Sequence, residues 1–297
     1  MLTDNDNRLI MTNSLKKRTS SRNILEIALT SIAGASLVAT LIPLFAVISY
    51  VIMKGGKHFN LDLFTKLPPV AGQTTGGVAS AILGTILVVS IAGAIAIPVG
   101  ILAAIYLSEF SSAEQKSAKA IRFATNVLSG VPSVIAGVFA YSVIVLVMGK
   151  FSTLAGGMAL SVLMLPTIIS TTDEALKIVP QDVRWASVGI GASNYQTVLQ
   201  VVLPAALPAI LTGVTLAIAR AAGETAPLLF TVIYSNNWPQ GPLSQTLPSL
   251  AYLVFEFARG FDPVLQEFAW AASLVLVLLV LVTSILARWM TRQKVYE

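Results

Sequence analysis

The sequence predicts an all-α integral membrane protein with six membrane-spanning helices. Of its 297 residues, 55% are apolar and only 11% are charged, and the mean hydropathy is +0.80, whereas a soluble domain carries about 25% charged residues. Six apolar stretches approach or exceed the length of about 20 residues that a helix needs to cross a bilayer. The basic residues are also unevenly divided among the connecting segments, as is typical of multi-pass membrane proteins.

The six stretches are punctuated by small residues and prolines. Four glycines in the second stretch would let helix backbones approach closely in lipid, although a rigid bundle explains them equally well. Prolines within or at the ends of three stretches require neighbouring helices or a cavity to satisfy the freed backbone groups. The stretches are about Ile27–Met53, Gly77–Leu107, Ile121–Met148, Leu154–Ile169, Ala206–Tyr234 and Phe268–Trp289, the glycines are Gly77, Gly84, Gly93 and Gly100, and the prolines are Pro98, Pro132 and Pro166.

Lys and Arg predict the orientation, because basic residues accumulate in cytoplasmic segments. With both ends inside, the cytoplasmic segments hold 13 of the 19 basic residues, the outer loops hold 5, and Arg220 lies within a span. The segment from Asp173 to Pro204 is then cytoplasmic, and the loops His58–Thr75 and Ser235–Gln266 face the other side. The 13 basic residues expected on the cytoplasmic side are Arg8, Lys16, Lys17, Arg18, Arg22, Lys116, Lys119, Arg122, Lys177, Arg184, Arg288, Arg292 and Lys294.

The apolar stretches and the basic residues together divide the chain into four parts. Residues 1–22 are rich in Ser, Thr, Asn, Lys and Arg and predict a disordered basic cytoplasmic tail. Residues 23–75 form the first helix and an external loop. Residues 76–287 form the main transmembrane domain, with a cytoplasmic loop at 173–204. Residues 288–297 form a second cytoplasmic tail.

Several classes of function are excluded by what the sequence lacks. There is no cysteine, so disulfides, thiolate metal sites and cysteine nucleophiles are ruled out. The single histidine, His58, lies at a membrane edge, where we expect it to be solvated and not part of a Ser-His catalytic site. No phosphate-binding loop follows the Gly-x4-Gly-Lys-Ser/Thr pattern, and no basic cluster alternates with aromatics as in nucleic-acid binding. We therefore expect a non-enzymatic membrane protein without a metal, energised by another chain.

The cytoplasmic segment predicts two short helices at an angle. Pro180 can begin a helix that continues from Gln181 to Val188 and ends at Gly189 and Gly191. Ser193 or Asn194 can cap a second helix, Tyr195 to Val202, which we expect Pro204 to end. This element would either dock into a groove on a partner or lie on the membrane as an amphipathic hairpin. The side chains it is expected to present are Trp185, Val188, Tyr195, Val198 and Leu199.

The fifth stretch carries two charges, Arg220 and Glu224, which are four residues apart and so are expected on one helical face. Either charge in hydrocarbon costs about 2.5–3.5 kcal/mol, so both must pair, face the bundle interior or line a hydrated cavity. One interpretation is a structural ion pair. The other is an anion path, since the planar guanidinium suits a tetrahedral oxyanion. Thr225 could donate to the same anion or bond its own backbone, and Ser129, Pro132 and Ser133 are weaker pore-lining candidates.

One resemblance concerns the cytoplasmic element. Gly191, nine further residues, and Val201-Val202-Leu203-Pro204 resemble the loop signature of binding-protein-dependent ABC importer permeases, with Trp185, Ala186 and Ser187 at the Glu-Ala-Ala positions. The resemblance implies that this loop forms coupling helices that dock into a cleft on ATPase subunits. The implied contact residues are Trp185, Ala186, Ser187, Gly191, Tyr195, Leu203 and Pro204.

A second resemblance covers about residues 76–287. Five ordered blocks are similar to the A-type permease subunit of phosphate-specific ABC importers: GGVASAILGT, PVGILAAIYLSEF, SGVPSVIAG, MLPTIISTTDEALKIVP and AIARAAGETAPLLFT. This implies the type I, MetI-like permease fold in a bacterial plasma membrane, with Arg220, Glu224 and Thr225 near the substrate path.

The partners that the second resemblance implies are a homologous C-type permease, two ATPase subunits that bind ATP and Mg²⁺, and an external phosphate-binding protein, besides membrane lipid. It implies no cofactor held by this chain itself and no nucleic acid. A permease for tungstate, molybdate or sulfate remains an alternative, as does a secondary anion transporter.

Overall fold

The computed structural model describes residues 21–112, 114–236, 238 and 248–292, and within these ranges every regular element is a helix. Residues 1–20 and 293–297 of the two expected tails lie outside the described residues, whereas Ser21 and Arg22 already belong to the first helix and residues 288–292 still belong to the last one. The chain divides into two compact units, Met1–Met53 and Lys54–Glu297.

The described residues of the first unit belong to one helix, α1 (Ser21–Gly55), whose last two residues belong to the second unit. It matches the first predicted stretch and is long and apolar enough to span a membrane. Pro43 lies inside α1 and cannot donate to the carbonyl one turn earlier. In the preceding turn the Thr40 hydroxyl donates to the carbonyls of Ser36 (3.2 Å) and Leu37 (2.8 Å), so it has a partner within the helix itself.

The second unit contains the remaining helices. Four of them, α3, α5, α8 and α9, adjoin π-helical turns, which are wider than the regular α-helix. The helices are α2 (Leu61–Thr65), α3 (Ala79–Ile105, extended by the π-helical turn Tyr106–Phe110), α4 (Lys116–Gly130), α5 (Ser133–Ala140, extended by Tyr141–Val145 and Leu146–Met148), α6 (Thr153–Ile178), α7 (Gln181–Gly189), α8 (Asn194–Thr197, joined by Val198–Val202 to the next), α9 (Leu203–Gly223), α10 (Leu228–Thr231), α11 (Leu250–Arg259) and α12 (Pro263–Arg292).

The described residues contain five helices that could span a membrane, or six if one bent pair counts as a span. That pair is α4 and α5, which meet at 106°, so the prediction of one continuous third span was wrong. Pro132 causes the break because the residue before a proline is driven out of the helical region. Val131 accordingly has an extended backbone (φ −72°, ψ 128°).

Two other predicted boundaries also need correction. The fifth span does not continue to Tyr234, because α9 ends at Gly223, where a glycine and the nearby Pro227 both disfavour helix. Pro204 does not end a helix either, since Asn194–Gly223 runs as one membrane-span candidate. Pro204 lies just after the π-helical turn, and a local π adjustment is one way in which a membrane helix accommodates a proline.

The core of the second unit lies between α3, α6 and α9. Gly100 in α3 shows how closely these helices pack, because a Cβ there would lie 2.7 Å from Cγ2 of Ile168 in α6. The predicted role of glycine in close packing applies at Gly100 but not at Gly93, where a Cβ would meet only Ile97 of its own helix, at 3.4 Å. The buried apolar residues of this core include Val88, Ala92, Leu160, Met164, Ile168, Ile210 and Val214.

Candidate functional site

The C-terminal end of α9 carries the predicted intramembrane charges. Arg220 lies in the last turn, where a positive charge is favoured by the helix dipole, and Glu224 is the first residue beyond the helix (φ −74°, ψ 124°). The expectation that both share one helical face was therefore wrong for Glu224. The two side chains still form an ion pair, with 3.7 Å between Arg220 Nε and Glu224 Oε1.

The pair is loose. A separation of 3.7 Å is too long for a hydrogen bond, and within the described ranges Arg220 has no other polar partner. Its side chain is 66% exposed and that of Glu224 is 20% exposed. The N–H groups of the guanidinium therefore remain available to a ligand, while the nearby carboxylate restrains its position.

Arg220 borders a cavity of about 250 Å³ between α4, α6 and α9. Ser129, which the sequence marked as a weaker candidate, lies there, but its hydroxyl donates to the carbonyl of Asn126 (2.7 Å). The hydroxyl groups of Thr167 and Ser170 have no hydrogen-bond partner among the described residues. Residues lining the cavity are Leu128, Ser129, Val131, Leu163, Pro166, Thr167, Ser170, Thr171 and Arg220.

Sequence reasoning missed Thr167 and Ser170. They lie on α6 three residues apart, hence on neighbouring positions of one helical face, and Thr167 directly follows Pro166. That spacing was the available signal. A smaller adjoining pocket is lined by Thr167, Arg220 and Glu224, so the hydroxyl on α6 and the two charges at the end of α9 are brought together by the fold.

Thr225 occupies a different place. Its hydroxyl points to the carbonyl of Ala251 in α11, at 3.5 Å, so it contacts backbone and does not line the cavity beside Arg220. The segment that follows is packed against α5: a Cβ on Gly137 would lie 2.6 Å from Cα of Pro227. This close contact fixes where the chain turns after Glu224.

The second predicted site, which we call the coupling element, consists of α7, α8, the turn between them and the π-helical turn Val198–Val202. Gly191 has a left-handed backbone (φ 97°), which glycine adopts without strain. Ser193 caps α8 and forms a reciprocal capping box with Gln196, as the sequence suggested. The Ser187 and Thr197 hydroxyls are 3.0 Å apart and join the two helices.

The implied contact residues are not equally accessible. Trp185, Ala186, Gly191, Tyr195 and Pro204 are exposed, Leu203 is half-buried, and Ser187 is buried against Thr197. Val198, expected on the surface of the element, is buried because it lies on the inner side of the π-helical turn. The exposed apolar side chains of the element are therefore Val183, Trp185, Val188, Ile190, Tyr195 and Leu199, of which Val183 and Ile190 were not anticipated.

Beneath the coupling element lies a buried ion pair that the sequence did not reveal. Arg184 of α7 donates to both carboxylate oxygens of Glu109 at the end of α3, at 2.8 Å and 3.2 Å. The two side chains are 14% and 8% exposed. Since 75 positions separate them in sequence, no local pattern could have paired them.

A second charged cluster lies close by. Asp173 in α6 pairs with Lys177 one turn later and with Arg122 of α4 at 3.4 Å. Its other carboxylate oxygen, Oδ1, is buried and has no hydrogen-bond partner in the described part of the chain. Arg122 also donates to the carbonyl of Leu107, at 3.4 Å. Ion pairs and a hydrogen bond thus join α3, α4 and α6 at the end of the bundle where the coupling element lies.

Polar contacts at the other end of the bundle join loops. His58 is partly buried, 3.5 Å from Glu267 and with its ring 5.1 Å from that of Phe268, so the expectation of a simply solvated side chain was wrong. Asp262 accepts hydrogen bonds from the backbone N–H groups of Gly72 (3.1 Å) and Val264 (2.9 Å). These hydrogen bonds lower the pKa of the Asp262 carboxyl below its ordinary value, and the bond from Gly72 has the largest effect.

Two solved structures share this fold. The inward-facing MetNI methionine ABC transporter matches with a TM-score of 0.58 at 20% identity, over 73% of this chain and 94% of that one. A bacterial alginate ABC transporter, in complex with a periplasmic protein bound to an alginate pentasaccharide, matches with a TM-score of 0.63 at 15% identity, over 89% and 94%. At these identities the likeness concerns the fold, and it confirms the predicted MetI-like permease architecture.

Sequence comparison identifies the family. The phosphate transport system permease protein PstA of Yersinia pestis is 37% identical over 281 residues, which cover 94% of each chain. Residues 96–295 match the family described as binding-protein-dependent transport system inner membrane component. The chain therefore belongs to this family of inner membrane transport components, and within it to the group of the PstA permease proteins.

Proposed function

We propose that this chain is the permease subunit of an ATP-driven importer of inorganic phosphate, and that Arg220 lies on the anion path. The observation that carries the proposal is the guanidinium of Arg220, which is only loosely paired with Glu224 and lies beside a cavity with free hydroxyl groups. The identity of the anion is taken from the name of the related PstA proteins.

The chemistry of the cavity suits an oxyanion. Phosphate presents several oxygens in a tetrahedron, and a guanidinium can donate to two of them at once. Thr167 and Ser170 supply hydroxyl donors on the facing helix. The Glu224 carboxylate neutralises part of the charge of Arg220, which favours passage of the anion over tight retention.

ATP would be hydrolysed by partner chains. The coupling element presents exposed aromatic and aliphatic side chains on two short, internally bonded helices, which is a shape suited to a groove on another protein. We propose that it docks on two ATPase subunits, which bind the ATP and Mg²⁺. A homologous permease would complete the path, and an external binding protein would deliver phosphate. Both ends of the chain would then be cytoplasmic, as the distribution of Lys and Arg predicts.

The proposal is tested by ATP-driven phosphate uptake into proteoliposomes that contain the full complex. Arg220→Gln should lower uptake at least about tenfold, since a hydrogen bond to a charged group contributes about 1.5–3 kcal/mol, while complex assembly is retained. Arg259→Gln is the matched control, because Arg259 is similarly exposed and paired with Glu256. Undiminished uptake by Arg220→Gln would refute the path.

The same assay separates the alternatives. Competition by sulfate, molybdate or tungstate that equals competition by unlabelled phosphate would assign another anion. Uptake by the purified chain alone, without ATPase subunits and down a phosphate gradient, would indicate a secondary transporter.

A further inference from the structure

The buried pair Glu109–Arg184 connects three elements. Besides both oxygens of Glu109 at the end of α3, Arg184 binds two backbone carbonyls. One is that of Leu176 (2.9 Å), in the last turn of α6, and the other is that of Val179, the residue after α6. Arg184 itself belongs to α7, the first helix of the coupling element. One guanidinium therefore joins the coupling element to the ends of two long helices.

The contacts of Arg184 leave it little freedom. A planar guanidinium that meets both oxygens of one carboxylate is fixed in orientation as well as distance. The carbonyls of Leu176 and Val179 and the side chain of Gln181, at 3.4 Å, occupy its remaining donors. The pair lines one wall of a cavity of about 640 Å³ between the coupling element and the ends of α3, α4 and α6.

We propose that Glu109 and Arg184 are positioning residues that make the coupling element, the end of α3 and α6 move as one body. This inference rests on the proposed function, because it concerns how movement imposed by the ATPases reaches the anion path. Thr167, at the Arg220 cavity, lies nine residues before Leu176 on α6, a distance of about 14 Å along a rigid helix. A displacement of α7 would thus reach the wall of the cavity through one continuous helix.

A purely structural ion pair is the competing explanation, and the two predict different measurements. Loss of a structural contact reduces the amount of intact complex, and therefore lowers ATP hydrolysis and phosphate uptake in proportion. Loss of a transmitting contact leaves ATP hydrolysis in place and lowers the number of phosphates imported per ATP. The coupling ratio is consequently the quantity to measure.

The central variant replaces both partners, as Glu109→Gln with Arg184→Met. Removing both charges avoids a lone buried ion, so replacement by neutral side chains of similar volume tends to preserve the fold. We expect the complex to assemble and to hydrolyse ATP in the presence of binding protein, with phosphate imported per ATP lowered at least about fivefold, the lower end of typical coupling between sites. The exposed pair Lys119–Glu114, changed to Lys119→Met with Glu114→Gln, is the control and should leave the ratio unchanged.

A covalent cross-link in place of the ion pair gives a test that does not depend on whether the neutral variant folds. Because this chain has no cysteine, the variant Glu109→Cys with Arg184→Cys carries only two thiols in this chain, and a short bismaleimide can join them before the complex is assembled. The joined protein should recover at least half of the wild-type coupling ratio and the unjoined one should not. A wild-type ratio in the double neutral variant, or no recovery on joining, would overturn the inference. Absence of ATP-driven phosphate uptake by the wild-type complex would instead refute the proposed function.

Discussion

The protein contains two Arg–Glu pairs that differ in almost every physical respect. At the coupling element, Arg184 and Glu109 lie 2.8 Å apart, buried, and come from elements distant in sequence. At the end of α9, Arg220 and Glu224 are four residues apart, 3.7 Å from each other, and the arginine is largely exposed. The first arrangement uses the donors of its guanidinium within the protein, and the second leaves them free for a ligand. We propose that identical residue types provide rigidity in the first place and bind an anion in the second.

The largest expected effect concerns stability at the buried pair. Arg184→Ala leaves the largely buried Glu109 carboxylate without its counter-ion and with only the Ser108 hydroxyl, at 3.2 Å, as a donor. Breaking a fully buried pair costs about 3–5 kcal/mol, which sets the upper limit here. Arg220→Ala should change stability by less than about 1 kcal/mol, since exposed pairs contribute little. Thermal unfolding of the two purified variants in detergent measures the difference. Equal unfolding temperatures would remove the distinction between the pairs.

The next effect concerns binding at the loose pair. Thr167→Val and Ser170→Ala together remove the free hydroxyl donors that face the cavity. If each hydroxyl donates to a charged anion, loss of either hydrogen bond should weaken binding by about 1.5 kcal/mol or more, which is about tenfold in apparent affinity. The apparent KM for phosphate in the uptake assay should rise accordingly. Thr212→Val is the control because its hydroxyl already donates to the carbonyl of Pro208, and it should leave KM unchanged.

A smaller effect is expected where α5 positions the loose pair. Gly137→Ala would place a Cβ 2.6 Å from Cα of Pro227, and such overpacking typically costs about 1–3 kcal/mol. The segment after Glu224 must shift to accommodate this Cβ. Phosphate uptake should therefore fall further than the loss of stability, measured by the unfolding temperature, would explain. Gly130→Ala, at a position with open space around it, provides the comparison. A Gly137→Ala variant with wild-type uptake would show that the position of Glu224 is not critical.

The smallest effect concerns an exposed carboxylate. Backbone hydrogen bonds lower the pKa of Asp262 in the folded protein, so its stabilising contribution is fully present above the ordinary pKa of an Asp and is lost as the pH falls through the lowered value. Asp262→Asn should speed hydrogen exchange of the Gly72 amide at neutral pH. In the wild type the same acceleration should appear only in acid. Unchanged exchange in the variant would mean that this contact does not restrain the loop.

Composition and periodicity were sufficient for the long helices but not for their interruptions. Hydropathy located α1, α3, α6 and α12 because a run of apolar residues reports the requirement of the bilayer directly. It could not show the break at Pro132 or the end of α9 at Gly223, since apolar residues resume beyond each interruption. Whether a proline bends a helix depends on the neighbouring backbone, as Pro204 and Pro132 show by behaving differently.

The sites were predicted only where the chemistry is local in sequence. Arg220 and Glu224 were visible because charges in an apolar stretch are costly, and Ser193 was one of two candidate caps because Ser and Asn are preferred at that position. The pair Glu109–Arg184 depends on the tertiary fold. Thr167 and Ser170 could not be distinguished from hydroxyls that bond their own helix, as that of Thr171 does.

The bend between α4 and α5 has a consequence for the passage of water. Val131 and Pro132 have non-helical backbone in the middle of a stretch that would otherwise span the bilayer, and such backbone is tolerated at that depth only where protein or a water-filled cavity surrounds it. Val131 lines the same cavity as Arg220. Water should therefore reach Arg220 whether or not an anion is bound, and the seal against proton leakage must be formed by another layer of the assembled transporter.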